Sequence, residues 1–283
     1  MDAPMDRETS IKIGGSADIL FKPDNIAEAV KIVKLCKREK IPLTVLGNGT
    51  NVLVRDGGIR GIVIKLSELL GLRRERDHIF ACAGEKLTDV SKYALSEGLS
   101  GLEFACGIPG SAGGAVYMNA GAYGREMKDA VYRSAVLDPA GDVGLFDNPG
   151  HGFSYRKSVF QQNGHIVLET EFVLAPADEG DIAQKMNEYK TKREASQPIG
   201  EPSAGSVFRR PAGAYVGPMI EACGLKGARA GGAMVSRKHA GFIVNGGGAT
   251  ASDVLTLIER IREEVGGRFS IELETEIRVI GED

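Results

Sequence analysis

The sequence contains no tryptophan, and aromatic residues make up only 6% of its 283 positions. Its four cysteines form no CxxC pair and its four histidines form no HExxH motif, so we expect neither a bound metal nor a disulfide framework. The net charge of −3 lacks the basic excess of nucleic-acid-binding proteins, so we expect no nucleic-acid partner. The first ten residues are polar and form no apolar leader, so we expect a cytoplasmic protein.

Long apolar runs are also missing. The longest uncharged stretch, residues 104–124, is long enough to cross a bilayer, but it contains six glycines, a proline and an asparagine. A membrane helix of this composition is a poor interpretation. We therefore expect no association with a membrane.

Glycine is the residue in excess. It accounts for 38 of 283 positions, about 13%, against about 7% in average proteins. Eight glycines lie between residues 98 and 124, in a chain whose other segments carry clear secondary-structure patterns. Clustered glycine in such a chain indicates that backbone must come close to another group.

The other segments alternate between helical and extended patterns, which is typical of an α+β fold. Helices are predicted after Asp24, over residues 86–97 and 181–193, and after Thr250, which with Asp253 forms a capping box. The pair Gly266-Gly267 is predicted to end that last helix. Strands are predicted over residues 41–46, 61–66, 131–138, 166–175 and 270–280.

The first glycine-rich turn, GNGTN, follows a predicted strand. It fails the dinucleotide fingerprint, because the third glycine position is Val52 and a strand follows instead of a helix. Its backbone N–H groups could still line an anion site, although an ordinary β-turn has the same composition. The residues of this turn are Gly47, Asn48, Gly49, Thr50 and Asn51.

The second glycine-rich segment, residues 107–124, is long and uncharged. Long ordered loops of this kind are usually functional, and two glycine loops in one predicted domain indicate a large phosphate-bearing ligand held by main chain. A flavin dinucleotide fits, but spacing alone does not name it. The candidate residues are Gly107, Pro109, Gly110, Ser111, Gly113, Gly114, Asn119 and Gly121.

Six motifs, in this order and spacing, resemble the UDP-N-acetylenolpyruvoylglucosamine reductase family over almost the whole chain. The resemblance implies an α+β fold with a vanillyl-alcohol-oxidase (PCMH) type FAD-binding domain over residues 1–177. A smaller α+β substrate domain would occupy residues 178–283, with its last strand returning toward the flavin. The motifs are GNGTNVLV (47–54), GIPGSAGGAVYMNAGAYG (107–124), SYRKS (154–158), SAGSVF (203–208), SRKHAGFIVN (236–245) and ETEIR (274–278).

The same resemblance implies the activity. Family members use NADPH and FAD to reduce the enolpyruvyl ether of UDP-N-acetylglucosamine to UDP-N-acetylmuramate in peptidoglycan precursor synthesis. Both glycine loops would then bind FAD. We expect FAD to be bound non-covalently, because Thr50 and Asn51 stand where covalent flavoproteins have histidine or cysteine. We also expect a monomer.

The family's catalytic residues match Arg156, Ser206 and Glu276. By the resemblance, Arg156 binds the substrate carboxylate, Ser206 donates a proton, and Glu276 acts beside it; Lys226, His239 and Arg278 fall at substrate-side positions. Each of the three catalytic candidates also has a non-catalytic interpretation. Arg156 resembles a surface arginine, Ser206 a turn serine, and alternation over residues 270–280 also places Glu272, Glu274, Glu276 and Arg278 on a solvated strand face.

The sequence departs from the family pattern at two places. Ser16 stands where proline is common, and residues 194–206 are too few for the tyrosine-bearing insertion of the long form.

Two other functions remain open from the residues alone. One is a flavin oxidase or dehydrogenase of the same fold that acts on a sugar or alcohol, and the other is a nucleotide-binding module without activity.

Overall fold

The structure is a computed structural model that describes residues 2–283. Within this range the chain forms seven α-helices: α1 (Ile26–Glu39), α2 (Leu87–Ser96), α3 (Ala112–Tyr117), α4 (Phe160–Asn163), α5 (Glu179–Ser196), α6 (Val216–Ala222) and α7 (Ala251–Phe269). Single turns of 3-10 helix lie at Met5–Arg7, Leu66–Glu68, Glu103–Ala105, Met127–Asp129 and Pro149–His151.

The strands are short, and many have only two or three residues. They are β1 (Ala3–Pro4), β2 (Ser16–Phe21), β3 (Leu43–Leu46), β4 (Val52–Val54), β5 (Ile59–Lys65), β6 (Leu72–Glu75), β7 (His78–Cys82), β8 (Leu99–Ser100), β9 (Gly121–Ala122), β10 (Arg125–Glu126), β11 (Val131–Leu137), β12 (Val143–Asp147), β13 (Ile166–Val173), β14 (Ala175–Pro176), β15 (Ser203–Ser206), β16 (Arg229–Ala230), β17 (Ala233–Val235), β18 (Phe242–Asn245) and β19 (Arg278–Ile280).

The chain divides into two compact units that interleave along the sequence. The inserted unit comprises residues 20–48 and 61–193, and the terminal unit comprises residues up to Ile19, 49–60 and 194–283. The names refer only to position along the chain. The predicted boundary between residues 177 and 178, which separates an FAD-binding domain from a substrate domain, stays a prediction. The compact units instead place residues 49–60 together with the C-terminal residues.

The inserted unit is built on a five-stranded antiparallel sheet in the order β12-β11-β13-β7-β6. Strand β13 lies at its middle, and six of its eight residues are buried, including Phe172, which is fully buried. One core cluster joins this sheet to α2 and α3, and a second places α1 against Ile64 and Leu168. Helix α1 is amphipathic, as predicted, and is capped by Asn25, whose side chain accepts the Glu28 N–H.

The terminal unit has a sheet in the order β15-β18-β17-β16, and α6 and α7 share its apolar core. The capping box of Thr250 and Asp253 is present at the start of α7. Five apolar residues at helical spacing form the buried face of α7: Val254, Leu257, Ile258, Ile261 and Val265. Strand β4 pairs in parallel with the final strand, β19.

Two predictions about the C-terminal segment are wrong. Helix α7 runs through Gly266-Gly267 to Phe269 and ends at Ser270, which adopts the left-handed conformation that the glycines were expected to supply. The predicted strand 270–280 is regular only over Arg278–Ile280. Upstream, the N–H groups of Glu276 and Ile277 both point at the Val207 carbonyl, at 2.7 and 3.5 Å, and this shared acceptor interrupts the ladder.

Alternation of side chains survives this irregularity. Leu273 and Ile277 are buried, whereas Glu272 and Glu274 are exposed. In the described part of the chain, no helix combines the length and apolar character needed to span a bilayer.

Candidate active site

In the terminal unit, the end of the first glycine turn lies against the segment that carries Glu276. The Asn51 side chain donates from Nδ2 to the Glu276 carbonyl at 3.2 Å, and the Asn51 carbonyl accepts the Arg278 N–H at 3.0 Å. Asn51 therefore clasps the backbone on both sides of Ile277. Strand β4 begins at the next residue and pairs with β19, so the clasp extends an ordinary parallel ladder.

Ser206 lies beside this clasp. The next residue, Val207, accepts the Glu276 N–H through its carbonyl at 2.7 Å. The Ser206 hydroxyl is half-buried and donates to the Phe208 carbonyl at 3.3 Å. A Cβ placed on Gly205, whose φ is +81°, would lie 3.9 Å from the Thr50 carbonyl. The structure thus brings Ser206, Glu276 and the Thr50-Asn51 turn together within one unit.

His239 lies on the other side of Ser206, across Gly241. The Gly241 N–H donates to Nδ1 of His239 at 3.1 Å, so a neutral imidazole carries its proton on Nε2. A Cβ on Gly241 would lie 3.0 Å from Cε1 of His239 and 3.6 Å from Oγ of Ser206. Burial lowers the pKa of His239 below its ordinary value, so the ring is neutral at pH 7. Nearby, Lys226 forms an ion pair with Glu221 at 2.8 Å.

In the inserted unit, the two glycine loops meet. A Cβ on Gly47 would lie 2.5 Å from Oγ of Ser111. Ser111 is buried and caps α3, because its Oγ accepts the Gly114 N–H at 3.3 Å. Neither Gly47-Asn48 nor residues 107–114 include a charged residue, and a Cβ on Gly47 would lie 3.9 Å from Cα of Gly114; a close, uncharged backbone surface of this kind is compatible with FAD.

The second loop also uses glycine for packing. A Cβ on Gly113 would lie 2.8 Å from Cβ of Ala83, and one on Gly107 would lie 2.9 Å from Cδ of Arg193. The Ala112 and Gly113 N–H groups donate to the Glu85 and Ala83 carbonyls. Protein carbonyls therefore already occupy these two N–H groups.

Arg156 also belongs to the inserted unit. It occupies a tight hairpin in which the Ser154 and Lys157 backbones exchange hydrogen bonds of 3.1 and 3.0 Å, and its φ is +55°. Its Nη2 donates to the Gly121 carbonyl at 3.0 Å. The side chain of Asn119 is fully buried near this hairpin and donates to the Ser154 carbonyl at 2.9 Å.

Comparison with known proteins identifies the family. The family model of the UDP-N-acetylenolpyruvoylglucosamine reductase C-terminal domain matches residues 197–280, and an FAD binding domain matches residues 17–144. The reductase of Listeria monocytogenes is 47% identical over 283 residues, covering 100% of this chain and 95% of its own. The chain belongs to the UDP-N-acetylenolpyruvoylglucosamine reductase family.

Two further relatives agree with this assignment. The reductase of Oceanobacillus iheyensis is 46% identical over the full chain and is covered over 92% of its length. The crystal structure of the reductase from Thermus caldophilus superposes with a TM-score of 0.87 at 34% identity, covering 99% of this chain and 98% of that one. Both the family resemblance and the predicted α+β fold class with an FAD-binding domain are confirmed.

The family's expected site residues fall in both units. Ser206, Glu276, Lys226, His239, Arg278 and the 49–51 turn lie in the terminal unit, and Arg156 lies in the inserted unit with Gly47, Asn48 and the 107–121 loop. The roles assigned to them stay predictions. Among residues 2–283, no cluster of three potential metal-binding side chains occurs.

Two residues near the site were not among the candidates predicted from the sequence. Gly241 separates Ser206 from His239, and Glu126 lies within 4.0 Å of Arg156. Gly241 lies within the SRKHAGFIVN segment and Glu126 lies two residues after the 107–124 loop, so their positions relative to the motifs were the available signal.

Proposed function

We propose that this chain reduces the enolpyruvyl ether of UDP-N-acetylglucosamine to UDP-N-acetylmuramate in peptidoglycan precursor synthesis, with NADPH as reductant and non-covalently bound FAD. The observation that supports the assignment of residues is the backbone hydrogen bond from the Glu276 N–H to the carbonyl of Val207, the residue that follows Ser206; it joins the two chain segments that carry the predicted proton donor and the predicted carboxylate. Family membership over the whole chain supports the reaction itself.

The chemistry that FAD supplies when bound is hydride transfer, from NADPH to the terminal carbon of the enol ether. Negative charge then develops on the carbon that bears the substrate carboxylate. Arg156 would bind this carboxylate, because a guanidinium stays charged and offers two parallel N–H donors. The developing charge spreads into the carboxylate, so the same contact strengthens as the reaction proceeds.

Ser206 would complete the reduction by giving its hydroxyl proton to that carbon, and solvent would restore the proton. A serine hydroxyl is a weak acid, so it needs neighbours that hold the proton path in place. The Phe208 carbonyl accepts from the hydroxyl and orients it. Glu276 is fixed by the Asn51 clasp on its main chain, and its carboxylate would act on the same proton path.

The UDP portion of the substrate would meet Lys226, His239 and Arg278. Lys226 and Arg278 are cations that suit a diphosphate, whereas neutral His239 would contribute hydrogen bonding through Nε2–H without adding charge. FAD would be held by the two glycine loops, from Gly47 to Asn51 and from Gly107 to Gly121. We further propose that the protein acts as a cytoplasmic monomer.

The alternative of a sugar or alcohol oxidase is not favoured, because residues 197–280 match the C-terminal domain of this reductase family. An anaerobic experiment separates the two. NADPH should bleach the flavin, and the enolpyruvyl UDP-sugar should restore its colour. Rapid reoxidation by oxygen, with none by the UDP-sugar, would establish the oxidase instead.

Ser206→Ala tests the assigned proton donor. Reduction of the flavin by NADPH should be unchanged, whereas reoxidation by the UDP-sugar should slow by roughly 10²–10⁴-fold, the usual contribution of a positioned proton donor. Ser203→Ala, the same substitution on the same strand, is the matched control and should leave both half-reactions intact. Equal losses in both half-reactions of Ser206→Ala would remove the assignment.

A further inference from the structure

Arg156 lies in a turn whose backbone is fixed by several hydrogen bonds. A non-glycine residue at φ +55° is strained and persists only where its surroundings define it. Here the Ser154–Lys157 hairpin closes around it, and Nε2 of Gln161 donates to the Arg156 carbonyl at 3.1 Å. The position of the side chain therefore depends on the groups that hold this hairpin.

Asn119 is the buried link between the hairpin and the rest of the loop. Its Nδ2 donates to the Ser154 carbonyl at 2.9 Å and to Oε2 of Glu126 at 3.0 Å, and its Oδ1 accepts the Lys128 N–H at 3.0 Å. Both amide protons of this side chain are thus used by protein groups. The resemblance places Asn119 at the FAD site, but its side-chain contacts connect it to the Arg156 hairpin.

Glu126 lies between Asn119 and the Arg156 guanidinium. Its side chain is 18% exposed, and the Asn119 amide fixes the carboxylate by donating to Oε2 at 3.0 Å; the ion pair of Oε2 with Nζ of the exposed Lys128, also at 3.0 Å, contributes little. Its Oε1 lies 4.0 Å from Nη1 of Arg156. That separation is too long for a hydrogen bond, so Glu126 acts on the guanidinium through its charge. Nη2 is held by the Gly121 carbonyl.

We propose that Asn119 and Glu126 are positioning residues for Arg156: Asn119 fixes the hairpin, and Glu126 sets the direction in which the guanidinium meets the substrate carboxylate. This inference rests on the carboxylate-binding role of Arg156 in the proposed function. Neither residue touches the reacting atoms. The effect of Glu126 reaches the reaction only through Arg156, and only for ligands that carry the carboxylate.

Glu126→Gln tests the proposal, because it keeps an oxygen that can accept from Asn119 and removes the charge. We expect roughly a tenfold higher KM for the enolpyruvyl UDP-sugar and about tenfold slower reoxidation of the flavin, within the range that misplacement of a binding group produces. Reduction by NADPH, and binding of UDP-N-acetylglucosamine, which has no carboxylate, should be unchanged. Glu126→Asp, which keeps the charge at shorter reach, should be intermediate.

Lys128→Met is the matched control. It removes the other ion pair of Glu126 and should leave both half-reactions at wild-type rates. In an Arg156→Ala background, Glu126→Gln should slow reoxidation by less than about twofold, as expected for residues that act as a unit. Urea unfolding and FAD content of each variant identify any loss that comes from misfolding.

Two results would overturn the inference, and they are distinct from a failure of the proposed function. One is an equal effect of Glu126→Gln in the wild-type and Arg156→Ala backgrounds. The other is weaker binding of UDP-N-acetylglucosamine by Glu126→Gln. If Arg156→Ala alone leaves reoxidation unchanged, the role of Arg156 is wrong, and the positioning inference falls with it.

Discussion

Replacing Gly47 with alanine would place a methyl group 2.5 Å from Oγ of Ser111, well inside the roughly 3.5 Å of an ordinary contact. The Ser111 hydroxyl can avoid this clash only by turning away from the Gly114 N–H that it accepts at 3.3 Å. The smallest cost is then a lost helix cap, about 1 kcal/mol. If the loops separate instead, overpacking costs about 1–3 kcal/mol.

Both costs arise from the same contact between position 47 and the Ser111 hydroxyl, so removing that hydroxyl should remove both. We expect Gly47→Ala to lower the free energy of unfolding by about 1–3 kcal/mol and to weaken FAD binding. Ser111→Ala should cost about 1 kcal/mol through the cap alone. The double variant should resemble Ser111→Ala, because Cβ of Ser111 lies 3.7 Å away and does not clash.

Urea unfolding of the four proteins, with and without FAD, measures this coupling. Gly144→Ala is the matched control, because a Cβ there meets no atom within 4 Å; it should not lower stability and should leave FAD affinity unchanged. Additive effects of the two substitutions, within about 0.3–0.5 kcal/mol, would refute the contact between the loops as the reason for glycine at position 47.

Two further predictions concern the terminal unit. Gly267→Ala should raise the free energy of unfolding by about 0.5–1 kcal/mol, because α7 continues through this position and a Cβ there meets nothing; a loss of stability in urea would contradict this. Burial lowers the pKa of His239 below its unfolded value of 6.5, so its contribution to stability is present above that pH and lost as the pH falls through the folded pKa. His239→Gln should therefore show a smaller decline between pH 8 and 5 than the wild type, with the remainder from the buried His151, and equal declines would contradict the shift.

Local patterns predicted the elements that depend on neighbours in sequence. The buried face of α7, its Thr250 cap and the end of α2, predicted at residue 97 and observed at Ser96, all follow from spacing and from conformational preference. The same reasoning failed at Gly266-Gly267, where packing of α7 along the core outweighs the low helix propensity of glycine.

Contacts between distant segments could not be predicted from such patterns. Asn51 and Glu276 are 225 residues apart, and nothing in either local sequence specifies that one binds the other. Alternation predicted a regular strand around Glu276, but the shared Val207 carbonyl is a tertiary feature. Family resemblance supplied the candidate residues, and the structure supplied their neighbours, such as Glu126 beside Arg156.

The pairing of β4 with β19 has a consequence for biosynthesis. The inserted unit is complete in sequence at Arg193, but β4 gains its partner only after Ile280, about 90 residues later. At about 5–20 residues per second, the ribosome needs roughly 4–20 s to synthesise that interval. During this time segment 49–60 lacks the strand β19 with which its β4 pairs. Nascent chains stalled before residue 278 should therefore be cleaved by protease within 49–60, whereas the segments of the inserted unit should already be protected.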